Sequence, residues 1–211
     1  MLTIRINNAN TDAIEKVLAK LNTLIENDKY IHEPAGYSII TYDLAHLIVK
    51  GQKMSLLLAI AAVVILLLII FRSLLAGILG GVPLVLAIVI LFGLMGWTGI
   101  PLDISSALLS SIMVGVGIDY TIHFLWRYKH ERLLGADSFG AVKKTLSTTG
   151  RGITINAFSV MMGFLVLFIS DFASLKIFGF LIVFSILVCL LSALIVVPAL
   201  VLLLKPKFLE K

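Results

Sequence analysis

The chain has 211 residues, 60% of them hydrophobic and only 14% charged, with a formal net charge of +5 and a mean hydropathy of +1.09. A water-soluble fold of this size cannot bury so much apolar surface, so soluble enzymes are excluded and a polytopic membrane protein is expected. The lone cysteine, Cys189, excludes a disulfide framework and zinc–thiolate chemistry.

The first 53 residues hold six basic and six acidic side chains and form the only stretch of water-facing character. Leu2 to Ile6 alternates as a strand does. Thr11 is placed to cap a helix on which Ile14, Val17, Leu18, Leu21, Leu24 and Ile25 recur at helical spacing. A strand and one amphipathic helix bury little surface, so this lobe reads as the α+β tail of a larger domain. From about Thr41 the pattern turns helical again and leads without a proline into a first span over 54–71.

Arg72 and Ser73 form a tight turn into a second span over 74–97, whose first half carries Gly77, Gly80, Gly81 and Pro83. Small residues there permit close helix contact or a kink. A turn at 99–103 precedes a third span over 104–126. The long loop 127–151 follows, with a short interfacial helix expected over 137–148 because Phe139, Val142 and Leu146 share a face opposite Lys143 and Lys144. A fourth span is expected over 152–170 and a fifth over 178–204. Each is about as long as the ~30 Å hydrocarbon core requires.

Charge then orients the chain. Arg72, the 127–151 loop and the tail after Leu204 hold ten of the seventeen basic residues, and the short turns on the other face hold none. By the positive-inside rule the loop and C-terminus are expected on the cytoplasmic side and the N-terminal lobe outside. Such a lobe with no signal-peptide core suggests the C-terminal piece of something longer. The basic residues cluster at helix ends, where headgroups account for them, so no nucleic-acid partner is expected.

Chemistry concentrates in the third span. Asp119 is the one carboxylate well inside a predicted span, and Ser111, Gly115, Asp119 and His123 follow at intervals of four, along one helix face. An intramembrane carboxylate is costly and normally serves transport or proton relay. Tyr120 and His123 are placed to complete such a relay, as hydrogen-bond partner and second titrating site. The competing reading makes Asp119 a static interhelical hydrogen-bond partner and His123 a residue that meets headgroups. Gly115 and Gly117 read as a small-residue packing patch. The fourth span offers Gly152, Asn156, Ser159 and Gly163 at intervals of four, three and four, a stripe able to pack against the Asp119 face or order water beside it. No catalytic set is present, so an enzyme is not expected, nor is any metal or cofactor.

The run Gly115-Val116-Gly117-Ile118-Asp119-Tyr120-Thr121-Ile122-His123-Phe124, followed by Arg127-Tyr128, resembles the fourth-helix motif of the resistance-nodulation-division (RND) superfamily, most closely its MMPL-type members. Gly51-Gln52, Phe71-Arg72-Ser73, the Gly/Pro-rich second span and Val197-Pro198-Ala199-Leu200 look like the same family, whose five-helix block is also called sterol-sensing-like. The resemblance implies an all-α membrane domain, residues 45–211, preceded by the end of an extracytoplasmic porter domain, residues 1–44. It further implies a proton-motive-force-driven exporter of lipids or other hydrophobic compounds. Asp119 and Tyr120 would then be relay residues facing a counterpart half, either on the same longer chain or on a separate subunit. A sterol-sensing-like lipid-binding module and a SecD/SecF-like translocation accessory are the alternatives, the latter disfavoured because those relatives lack the Asp-Tyr-Thr-Ile-His run.

Overall fold

The computed structural model describes residues 11–25, 36–102 and 104–206. It comprises two compact units that meet in sequence between Gln52 and Lys53. In the first, α1 (Thr11–Ile25) is the amphipathic helix expected from its apolar spacing, and Ile14 on that face is buried. The strand expected over Leu2 to Ile6 lies outside the described residues. Among those described there is no strand, so the α+β character expected of this lobe is not found and helix alone is seen. Helix α2 (Tyr37–Phe71) begins in the first unit and ends in the second.

The second unit continues with α3 (Leu74–Thr98), α4 (Ile104–Leu133), α5 (Ser138–Thr145), α6 (Arg151–Leu165), α7 (Ala173–Leu191) and α8 (Val197–Leu204). A π-helical turn, Leu146–Gly150, joins α5 to α6, and another, Ser192–Val196, joins α7 to α8. Neither interrupts its helix, so among the described residues five helices are long and apolar enough to cross a membrane. Helix is the form such segments must take, because hydrocarbon offers no partner for a free N–H or C=O.

Turns and small residues set the packing. Arg72 adopts φ 49 between α2 and α3, and Gly99 closes α3 at φ 71 with its N–H donating to the Met95 carbonyl. A Cβ on Gly77 would stand 3.1 Å from the Val64 carbonyl oxygen, and one on Gly80 would run into Leu67 Cδ1. The glycines thus let α3 approach the membrane half of α2 closely, as their sequence position suggested. Helix α7 lies at the centre, packed against α3, α4 and α6. Gly179 brings it onto the 3-10 turn Val166–Ile169 that follows α6, where a Cβ would meet Leu167 Cβ at 2.9 Å.

The stretch 127–151 departs from the expected long loop. Helix α4 runs on to Leu133, the chain turns through Gly135 at φ 89, and α5 starts directly after its cap residue Asp137, whose Oδ1 accepts from Gly140 N at 3.1 Å. Buried Ala141, Val142 and Thr145 seat α5 against α4. Charged residues at the end of α4 masked this continuation in a hydropathy reading. Two of them, Arg127 and Glu131, pair across one helical turn.

Candidate functional site

Helix α4 presents two chemically different faces. Met113, Gly117, Tyr120, Thr121, Phe124 and Tyr128 are buried against the neighbouring helices. A Cβ on Gly117 would stand 3.2 Å from both Cys189 Sγ on α7 and Leu84 Cδ1 on α3, so glycine is what allows the three helices to meet there. Thr121 is also interior, its hydroxyl donating to the Gly117 carbonyl at 3.0 Å.

The opposite face is small, polar and uncovered. Ser111, Gly115, Asp119 and His123 are all exposed, and nothing lies within 4 Å of where a Gly115 Cβ would be. His123 Nε2 sits 3.3 Å from Asp119 Oδ1, with the two side chains 61% and 55% exposed. The helical spacing read from the sequence therefore does bring Asp119 and His123 together. Tyr120 is the exception among the three relay candidates. One residue is 100° of helix rotation, which turns Tyr120 inward to 1% exposure. Its hydroxyl there makes no hydrogen bond to any described residue.

Gly152, Asn156, Ser159 and Gly163 do not form the expected counter-surface. All four are exposed, and Ser159 Oγ donates to its own helix at Ile155 O, 2.9 Å away. Helix α7 packs against both α4 and α6, and α6 turns its apolar side, Ile153, Ala157 and Met161, inward. The small polar stripe of α6 is left facing out, as that of α4 is.

One cluster escaped the sequence reading. Glu131 is 1% exposed, and its carboxylate is held between Arg127 Nη2 at 2.5 Å, one turn earlier on α4, and Lys144 Nζ at 3.1 Å on α5. Arg132 Nη1 donates to the Ala136 carbonyl at 2.7 Å and braces the following turn. The Arg127/Glu131 spacing of four was the available signal. The Lys144 contact was not legible, because it depends on where α5 docks.

A model of the MMPL family matches residues 3–209. The chain belongs to the MMPL family. Among its relatives, the membrane protein MJ1562 of Methanocaldococcus jannaschii is 28% identical over 207 residues, 92% of this chain and 53% of its own length. The membrane protein YdgH of Bacillus subtilis is 28% identical over 166 residues, 75% of this chain and 18% of its own. The sulfolipid-1 exporter MmpL8 of Mycobacterium tuberculosis is 36% identical over 95 residues, 45% of this chain and 9% of its own. This MMPL domain thus spans about half the length of the first of these relatives and under a fifth of the others. It is a multi-pass membrane protein of a transporter family, with its one exposed intramembrane carboxylate–histidine pair, among the described residues, on α4.

Proposed function

We propose that this MMPL domain forms part of a proton-coupled exporter of lipids or other hydrophobic compounds, and that the outward face of α4 is its seam with a second transporter half. The observation that carries the reading is the Asp119–His123 pair, 3.3 Å apart and open, on a helix that otherwise crosses hydrocarbon. An ionised aspartate at the centre of a span costs about 2.5–3.5 kcal/mol against lipid. A face that also carries Ser111 and Gly115 is suited instead to close contact with another helix, where small residues let backbones approach and polar groups find partners.

Within this reading Asp119 takes and releases the proton, and His123, one turn along, passes it toward the Arg127 end of α4. Tyr120 acts from the interior side, its hydroxyl reaching the seam only through a change in side-chain position or packing. Asn156 and Ser159 belong to a second outward stripe available to the same partner half. We further assign the 127–151 segment and the C-terminus to the cytoplasmic side, on the distribution of basic residues. The relation to a sulfolipid exporter supports a lipid-like cargo.

The test uses vesicles bearing the transporter that contains this chain, an imposed pH gradient and a hydrophobic fluorescent cargo. Asp119→Asn is expected to abolish gradient-driven transport while the protein remains folded, since the side chain is exposed. Transport that stays coupled to the gradient in Asp119→Asn overturns the proposal.

A further inference from the structure

The corner between α4 and α5 has a composition that the transport reading does not use. Trp126, Lys129 and Leu133 lie at intervals of three and four on one face of α4, with Trp126 and Leu133 about 60% exposed. Phe139 and Lys143, four apart, lie on one face of α5, and both are exposed. Leu134, in the turn between, is exposed too. Each helix therefore carries a lysine, Lys129 half-buried and Lys143 exposed, beside a large uncovered apolar side chain.

The charge at this corner is unbalanced. Residues 127–151 hold six Lys and Arg against two carboxylates, and Glu131 is buried and already shared by Arg127 and Lys144. Asp137 is engaged in capping α5. Lys129 and Lys143 make no ion pair among the described residues. Water is a poor neighbour for Leu133, Leu134 and Phe139, and hydrocarbon a poor one for the lysines. A layer with phosphates above and acyl carbons below satisfies both.

We infer that the α4–α5 corner is a docking surface for anionic phospholipid: Trp126, Leu133, Leu134 and Phe139 enter the acyl boundary, and Lys129 and Lys143 hold the negatively charged headgroups. Charge complementarity selects anionic over zwitterionic lipid, because a juxtamembrane lysine is attracted to an anionic surface and is indifferent to a neutral one. The preference weakens with salt as screening shortens the reach of the lysine charges.

Trp126 is a built-in reporter, since the chain has only two tryptophans and the other, Trp97, lies at the far end of α3. The full chain carrying Trp97→Phe is reconstituted in phosphatidylcholine bilayers containing a fixed fraction of lipid with brominated acyl chains, either phosphatidylglycerol or phosphatidylcholine. Brominated phosphatidylglycerol is expected to quench Trp126 more strongly at equal mole fraction, and the preference to fall roughly fivefold for each lysine removed in Lys129→Gln and Lys143→Gln. Equal quenching by the two lipids, or a preference that survives the double substitution, overturns the inference. So does quenching by neither, which would mean that another protein surface, such as a second copy of the chain, covers the corner.

Discussion

Two glycines separated by one residue on α4 provide the sharpest test of which way this helix faces. Gly117 is enclosed: a Cβ there would stand 3.2 Å from Cys189 Sγ and from Leu84 Cδ1, whereas at Gly115 nothing lies within 4 Å. Valine is a slightly better helix former than glycine at either site, by a few tenths of a kcal/mol. Only at Gly117 do its methyls meet atoms already in contact, and overpacking of that kind costs about 1–3 kcal/mol. Such a loss multiplies the population of opened molecules by roughly 5 to 150.

Cys189 reads this opening directly, because it is the only cysteine, is 2% exposed and lies with Sγ 3.7 Å from the Met113 carbonyl. Maleimide labelling of the purified chain is expected to accelerate by that factor in Gly117→Val and to stay within about twofold of the parent in Gly115→Val, in line with the ±0.5 kcal/mol typical of surface changes. In the assembled transporter the order reverses for a seam residue: Gly115→Val is expected to impair gradient-driven transport with the chain itself intact. Equal labelling of the two variants would refute the assignment of inner and outer faces.

Other outcomes follow from the same geometry. Tyr120→Phe removes a buried hydroxyl that makes no hydrogen bond to a described residue, so thermal stability in detergent is expected to hold or rise, by up to about 1–3 kcal/mol; a marked drop in melting temperature would show that the hydroxyl is engaged. Glu131→Gln leaves Arg127 and Lys144 facing each other without their shared counter-ion, and the melting temperature should fall more than in Lys144→Gln, whose parent lysine is 61% exposed. The reciprocal exchange Glu131→Lys with Lys144→Glu should recover only part of that loss, because Arg127 then faces a like charge. Full recovery would show that Arg127 adds nothing to the cluster.

Hydropathy and residue spacing carried much of this molecule. The five spans found among the described residues and the turns at Arg72 and Gly99 are read from apolar run length, while Gly77 and Gly80 marked a place for close helix contact or a kink without saying that α2 is the neighbour. Hydrocarbon forces helix on any apolar run long enough to cross it, so no tertiary information is needed. The pairing of Asp119 with His123 was equally legible, since 3.6 residues per turn sets which side chains share a face of one helix.

Which way that face points was a different matter. In water the apolar side of a helix turns inward, but in a bilayer lipid and protein interior are alike in polarity, and periodicity specifies angles within a helix without saying which angle meets a neighbour. Only the packing of α7 against both α4 and α6 put Tyr120 inside, left Asp119 and His123 outside, and kept Asn156 and Ser159 away from them. Glu131 shows the same limit: its partner on its own helix was written in the spacing, while Lys144 reached it only because α5 folds back onto α4, a contact set by the turn at Gly135 and the buried Ala141 and Val142.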